Sequence, residues 1–158
     1  MPVAPWLVFG WGNASRGDDA LGPLFVQALR DKLTGDHNIE FLEDYQLQIE
    51  HALDLVGREH VLFVDASRHG AAPFEVSTVS AAKDGSVSTH AMSPQALLQV
   101  YADLQLAAPP QCTLLAIRGE RFTLGEAPSQ PALAHLALAL EWASALLKLK
   151  SSHTSTVR

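Results

Sequence analysis

Gly10-Trp11-Gly12-Asn13-Ala14-Ser15-Arg16-Gly17-Asp18-Asp19-Ala20-Leu21-Gly22 follows the apolar run Trp6-Leu7-Val8-Phe9, and Leu21, Leu24, Phe25, Ala28, Leu29 and Leu33 succeed it at helical spacing. The pattern predicts a first strand over about 6–10, a glycine-rich turn, and a first helix ending near Leu33. Pro23 is tolerated only in a first helical turn, so regular helix starts near 20–22. Asp18 and Asp19 then stand in the turn itself or in a distorted first turn. Their position matters, because open α/β sheets bind ligands beyond the carboxyl ends of their strands.

The chain on either side extends the same architecture. Ile39 and Phe41, with an acidic tail, predict a second strand over 38–44. Leu47, Ile49, Leu53 and Val56 predict a short helix over 46–56. His60-Val61-Leu62-Phe63-Val64-Asp65 is a buried central strand that stops at a carboxylate. Residues 74–80 alternate less cleanly and read as a fourth strand at an edge. Ser93-Pro94 is a helix start, serine as N-cap and proline in the first turn. Residues 112–117 form a further buried strand. Ser129 and Pro131 open a long last helix to about Lys150, and 151–158 is expected to be a disordered tail. Strands alternating with helices make this a single three-layer αβα domain over residues 1–150, with a twisted, mostly parallel five-stranded sheet.

Bulk properties narrow the function. A length of 158 residues fits one domain. With net charge −6 and no extended basic cluster, nucleic acid and anionic membrane are poor partners. A single cysteine, Cys112, rules out an intramolecular disulfide and a cysteine metal cage. The N-terminus lacks the pattern of a signal peptide. The apolar stretch from Ala132 to Leu149 is interrupted by His135, Glu141, Trp142 and Lys148, so it reads as an amphipathic helix and not a membrane span. A cytoplasmic protein is expected.

The glycine turn is not a dinucleotide fingerprint, because Gly10-x-Gly12 is followed by Ser15. Two carboxylates at the helix mouth also repel a pyrophosphate. Helix-dipole capping accounts for one aspartate but not for both, since adjacent side chains diverge. One of them is therefore expected to anchor the turn while the other faces the cleft. If Asp18 is a cap, asparagine should replace it at little cost. Asp65 is either a cap on the next loop or a functional group at the strand end. Of seven histidines, His37, His69 and His153 sit in polar turns or the tail, and His51, His60 and His135 lack an acidic neighbour at ligand spacing. His90 precedes the Ser93-Pro94 helix start; a lone histidine there is more often solvated than catalytic. Together, however, two carboxylates and an imidazole from three loops can converge at one sheet edge, and that donor set suits nickel, zinc or a similar ion. Neither a Gly-x-Ser-x-Gly elbow nor a His-Glu-x-x-His motif is present. Cys112 lies in an apolar run and reads as an inert core thiol.

Gly10-x-Gly12-Asn13 with Arg16-x-Asp18-Asp19-x-x-Gly22 resembles the signature of the hydrogenase maturation proteases. Further similarity follows in order over about 6–147: Asp44-Tyr45-Gln46-Leu47-x-x-Glu50, Phe63-Val64-Asp65-Ala66, Thr89-His90 with Ser93-Pro94-x-x-Leu97-Leu98, Ile117-Arg118-Gly119, and Leu124-Gly125-Glu126-x-x-Ser129. The resemblance implies an endopeptidase, classed with the aspartic-type peptidases, that trims the C-terminus of a [NiFe] hydrogenase large-subunit precursor. It implies three catalytic, metal-binding residues, mapping onto Asp19, Asp65 and His90, with Asn13 and Asp18 in support. It also implies that the metal is nickel, carried by the precursor. Many members have glutamate where this chain has Asp19. The Ser15-Arg16-Gly17 wording is similar to members serving soluble, cofactor-coupled hydrogenases. Two rivals are a non-catalytic, metal-dependent binding or chaperone module and a small-molecule-binding α/β domain.

Overall fold

The computed structural model describes residues 3–83, 92–104 and 108–156. Five strands form one sheet: β1 (Trp6–Trp11), β2 (Ile39–Asp44), β3 (His60–Ser67), β4 (Phe74–Val79) and β5 (Gln111–Arg118), in the spatial order β2-β1-β3-β5-β4. β2, β1, β3 and β5 are mutually parallel, and β4 runs antiparallel along the outer side of β5. The mostly parallel sheet read from the sequence is therefore present, with the fourth strand at an edge.

Alternation along the central strands builds a core on each face. Val8, Leu62, Val64, Leu115 and Ile117 pack under α1 (Leu21–Lys32) and α3 (Gln130–Thr156). Leu7, Phe9, Val61, Phe63 and Cys112 pack under α2 (Pro94–Asp103) and a 3₁₀ helix over Ile49–Leu55. The segment expected as a short helix over 46–56 is thus tighter and shorter. His51 joins its first turn, accepting the Gln48 N–H at Nδ1 (2.8 Å). Ser93 caps α2 as expected, its hydroxyl accepting from the Ala96 N–H. Helix α3 has the length and composition to cross a membrane, yet Ala132, Leu136, Ala139, Leu140, Ala143 and Leu147 seat it in the core beside α1. It continues to Thr156, six residues past the expected end at Lys150 and into the segment expected to be a disordered tail.

The first turn is held close to the sheet by glycine. A side chain at Gly22 would collide with the Trp11 carbonyl oxygen, so only glycine lets α1 rise directly off the end of β1.

Candidate active site

β2 lies on one side of β1 and β3 on the other, so the chain order reverses between β1 and β3. This is the crevice where doubly wound sheets place their ligands. Both aspartates singled out by the opening turn stand beside it in a 3₁₀ turn over Gly17–Ala20, the distorted helix entry that Pro23 demands, but only Asp19 lines it.

Asp18 and Asp19 point in different directions. Asp18 is fully buried and faces away from the cleft. Its carboxylate accepts from the Glu120 N–H (2.6 Å), the Arg121 N–H (2.9 Å), and both the N–H (2.6 Å) and the hydroxyl (2.7 Å) of Ser129. Burial pushes this carboxyl up, but the donors from Arg121, Glu120 and Ser129 outweigh it and hold Asp18 below its ordinary value. Backbone bonds run the same way: Gly17 N–H to Glu126 O, Asp18 N–H to Arg121 O, and Gly125 N–H to Ser15 O. Asp18 does not cap α1. It fastens the first turn to the segment that leads into α3, where Ser129 also accepts the Ala132 N–H.

Asp19 is half-buried and lines the cleft. Its Oδ2 accepts the Asn13 N–H at 2.7 Å. The Asn13 carboxamide is held at both ends, accepting from the Ser15 N–H (2.9 Å) and donating to the Tyr45 hydroxyl (2.9 Å). Gly12, at φ +152°, makes this approach: a Cβ there would strike the Asp19 carbonyl oxygen.

Asp65 ends the apolar run of β3 on the same face as Val61 and Phe63. Its Oδ1 accepts the Ala66 N–H at 2.8 Å, and the Trp11 side chain donates to the same carboxylate. Burial, and then the charge of Asp19, push its pKa up to about 7 against those two donors. A carboxyl group titrating there is suited to give or take a proton near neutral pH.

Asp19 and Asp65 share a cleft of about 510 Å³ whose other walls include Ser67, Arg68, Leu114 and Phe122. The Arg68 guanidinium stacks 4.1 Å above the Phe122 ring. Sequence reading missed both walls: Arg68 follows Asp65 closely enough to be suspected, but nothing local marks Phe122. His69, read as a surface turn residue, also lines the cleft. His90 lies outside the described residues. Among the described residues no group of three His, Cys, Asp or Glu side chains has metal-holding geometry.

The other histidines serve the fold. His51 Nδ1 accepts from Gln48, so Nε2 carries the proton and donates to Asp44 Oδ2 at 3.0 Å, a partner that spacing alone did not reveal. His135 Nδ1 donates to the Arg118 carbonyl at 2.8 Å. Cys112 is buried at the opposite end of β5, and burial raises its thiol to about 12, so it is no nucleophile.

No protein-family model and no curated protein sequence matches the chain. Solved structures do. The [NiFe] hydrogenase maturation protease HycI from Thermococcus kodakarensis KOD1 superposes with a TM-score of 0.72 at 23% identity, over 92% of this chain and 93% of the other. The hydrogenase maturating endopeptidase HybD from E. coli gives 0.68 at 24% identity, with 92% and 93% covered. The hydrogenase 2 maturation peptidase from Thaumarchaeota archaeon SCGC_AB-539-E09 gives 0.66 at 20% identity, with 90% and 97% covered. The chain shares their fold along nearly its whole length.

Proposed function

We propose that this chain is an endopeptidase of hydrogenase maturation, which removes the C-terminal extension of a [NiFe] hydrogenase large-subunit precursor in the cytoplasm after nickel has been inserted. Its fold is that of solved proteins named for this activity. The observation that carries the reading is the Asp19–Asp65 pair, brought from the turn after β1 and from β3 into one cleft beside the switch point.

Nickel is part of the substrate in this reading. Asp19 and Asp65 bind it through carboxylate oxygens, and His90 supplies the third ligand. The fit is electrostatic as well as chemical. Asp65 is raised by burial and by the charge of Asp19, and a divalent cation between the two offsets both effects. Backbone donors from Asn13 and Ala66 set the orientation of each carboxylate, which lowers the cost of ordering them on binding. Asn13 thereby orients Asp19, and Asp18 supports the turn from behind.

The bound precursor then presents its scissile peptide beside the metal. Cleavage needs a polarised carbonyl and an activated water. The precursor's nickel serves the first and a cleft carboxylate the second. The decisive experiment is mass spectrometry of nickel-loaded precursor incubated with the protein: loss of the C-terminal extension is expected. A precursor that binds yet keeps its mass would make the chain a non-catalytic metal-dependent chaperone.

A further inference from the structure

Building on the proposed function, we infer that the open edge of β4 is the docking rail for the precursor's C-terminal extension, which adds to the sheet as a further strand. The two edges of the sheet are built differently. β2 carries Glu40, Glu43 and Asp44 among six residues, and its side chains are engaged by neighbours. Arg58 holds Glu40 at 2.9 Å, Gln27 donates to Glu43 at 3.1 Å, and Arg30 lies over the Phe41 ring. Carboxylates in this density are a device that discourages strand addition. β4 reads Phe74-Glu75-Val76-Ser77-Thr78-Val79, with its four middle residues exposed. It has one charge, and no proline, lysine or bulge. Among the described residues no strand pairs with its outer side. Val and Thr favour an extended backbone, so the outward N–H and C=O groups form an ordered row that no strand among the described residues occupies.

Topology connects this edge to the cleft. β4 is antiparallel, so it begins at the carboxyl end of the parallel strands, where the aspartates are. One register row runs Asp65, Ala116, Glu75 across β3, β5 and β4. The cleft reaches as far as β5, the strand beside β4, since Leu114 and Ala116 belong to its lining. A strand added outside β4 lies three strand spacings from β3, roughly 14 Å, which about four extended residues span. In the proposed function, nickel anchors the precursor on the near side of the scissile bond. The extension beyond the bond is the part that can lie along an edge.

The test uses the full-length protein and a synthetic peptide covering the cleavage junction and extension of the cognate precursor, with amide hydrogen exchange read over 74–79. The expected result is slower exchange of β4 on peptide addition, abolished when the peptide stops within about four residues of the scissile bond. Successive residues of an antiparallel strand turn their N–H groups alternately inward and outward, so of Val76→Pro and Ser77→Pro one removes a sheet bond and the other only an outward donor. The variant that keeps its melting temperature should raise KM for precursor by roughly tenfold with kcat unchanged. Normal cleavage without β4 protection, or an unchanged KM in the folded proline variant, would overturn strand docking alone. So would protection that needs no peptide and rises with protein concentration, since β4 would then pair with a second copy. A wild-type protein that leaves nickel-loaded precursor uncut would instead overturn the function on which the inference rests.

Discussion

Asp65→Asn should stabilise the metal-free protein at neutral pH while abolishing precursor cleavage. The cause is the raised carboxyl. Its pKa moves from an ordinary 3.8 to about 7 because burial and Asp19 disfavour the charged form. The folded state therefore holds the proton more tightly than the unfolded chain. The stability Asp65 contributes is fully present below about pH 4 and is lost as pH rises through about 7. About three pH units at ~1.36 kcal/mol each set a ceiling near 4 kcal/mol for the penalty above pH 7. The side chain is only half-buried, so solvent screens part of that. Asparagine keeps an acceptor for the Ala66 N–H and the Trp11 side chain and carries no charge, so a gain of about 1–3 kcal/mol is expected. For a chain of this size that is a rise of roughly 3–10 °C in Tm. The assay is calorimetry of both proteins in chelator from pH 4 to 8.5. The two melting temperatures should meet near pH 4, diverge through pH 5–7 and stay apart above. Equal values at pH 8, or a variant less stable at every pH, would refute the assignment of Asp65 as a strained, function-bearing carboxylate.

Asp18→Asn should behave in the opposite way. All four bonds to this carboxylate come from donors, and an amide nitrogen must face one of them, so a loss of about 2–4 kcal/mol is expected, read by urea denaturation. Because Asp18 is held below its ordinary value, its contribution is present above about pH 4 and lost as pH falls further; an acid-denaturation midpoint unchanged in the variant would contradict this. Cys112→Ser should leave processing intact and cost about 1–2 kcal/mol, and loss of cleavage in a folded variant would show the thiol to be more than core. Nickel affinity, measured by calorimetric titration, should fall from pH 8 to 5, since protons compete at Asp65 from about 7 and at an imidazole from about 6.5. An affinity flat over that range would remove both groups from the ligand set.

The sheet was legible because β1, β3 and β5 are largely buried apolar runs and β2 mixes buried and exposed positions, each with turn residues at its ends, a local signal. Residues 46–56 were harder. Their apolar spacing suits a helix, but the His51 side chain caps the backbone of Gln48 and holds the segment in a tighter coil. At the site, Asp19 and Asp65 could be proposed from sequence because each terminates a strand or turn in an α/β order that leads to one edge. The division of labour between Asp18 and Asp19 was legible only in outline. What Asp18 binds is 102 to 111 residues away, so a helix cap was the natural local reading, and with it the expectation that asparagine should serve as well, against which the four donors to its carboxylate now argue. The Arg68–Phe122 wall and the Asp44–His51 pair are likewise products of tertiary folding, which neither spacing nor composition records.

If Asp19 and Asp65 bind the nickel of a precursor and so direct its cleavage, the effect is read by incubating nickel-loaded large-subunit precursor with wild-type protein and with Asp19→Asn and measuring the intact mass. The wild type should release the C-terminal extension from loaded precursor only, and Asp19→Asn, folded to the same melting temperature within about 2 °C, should release none. Equal cleavage by the two proteins, or equal cleavage of nickel-free precursor by the wild type, would contradict it.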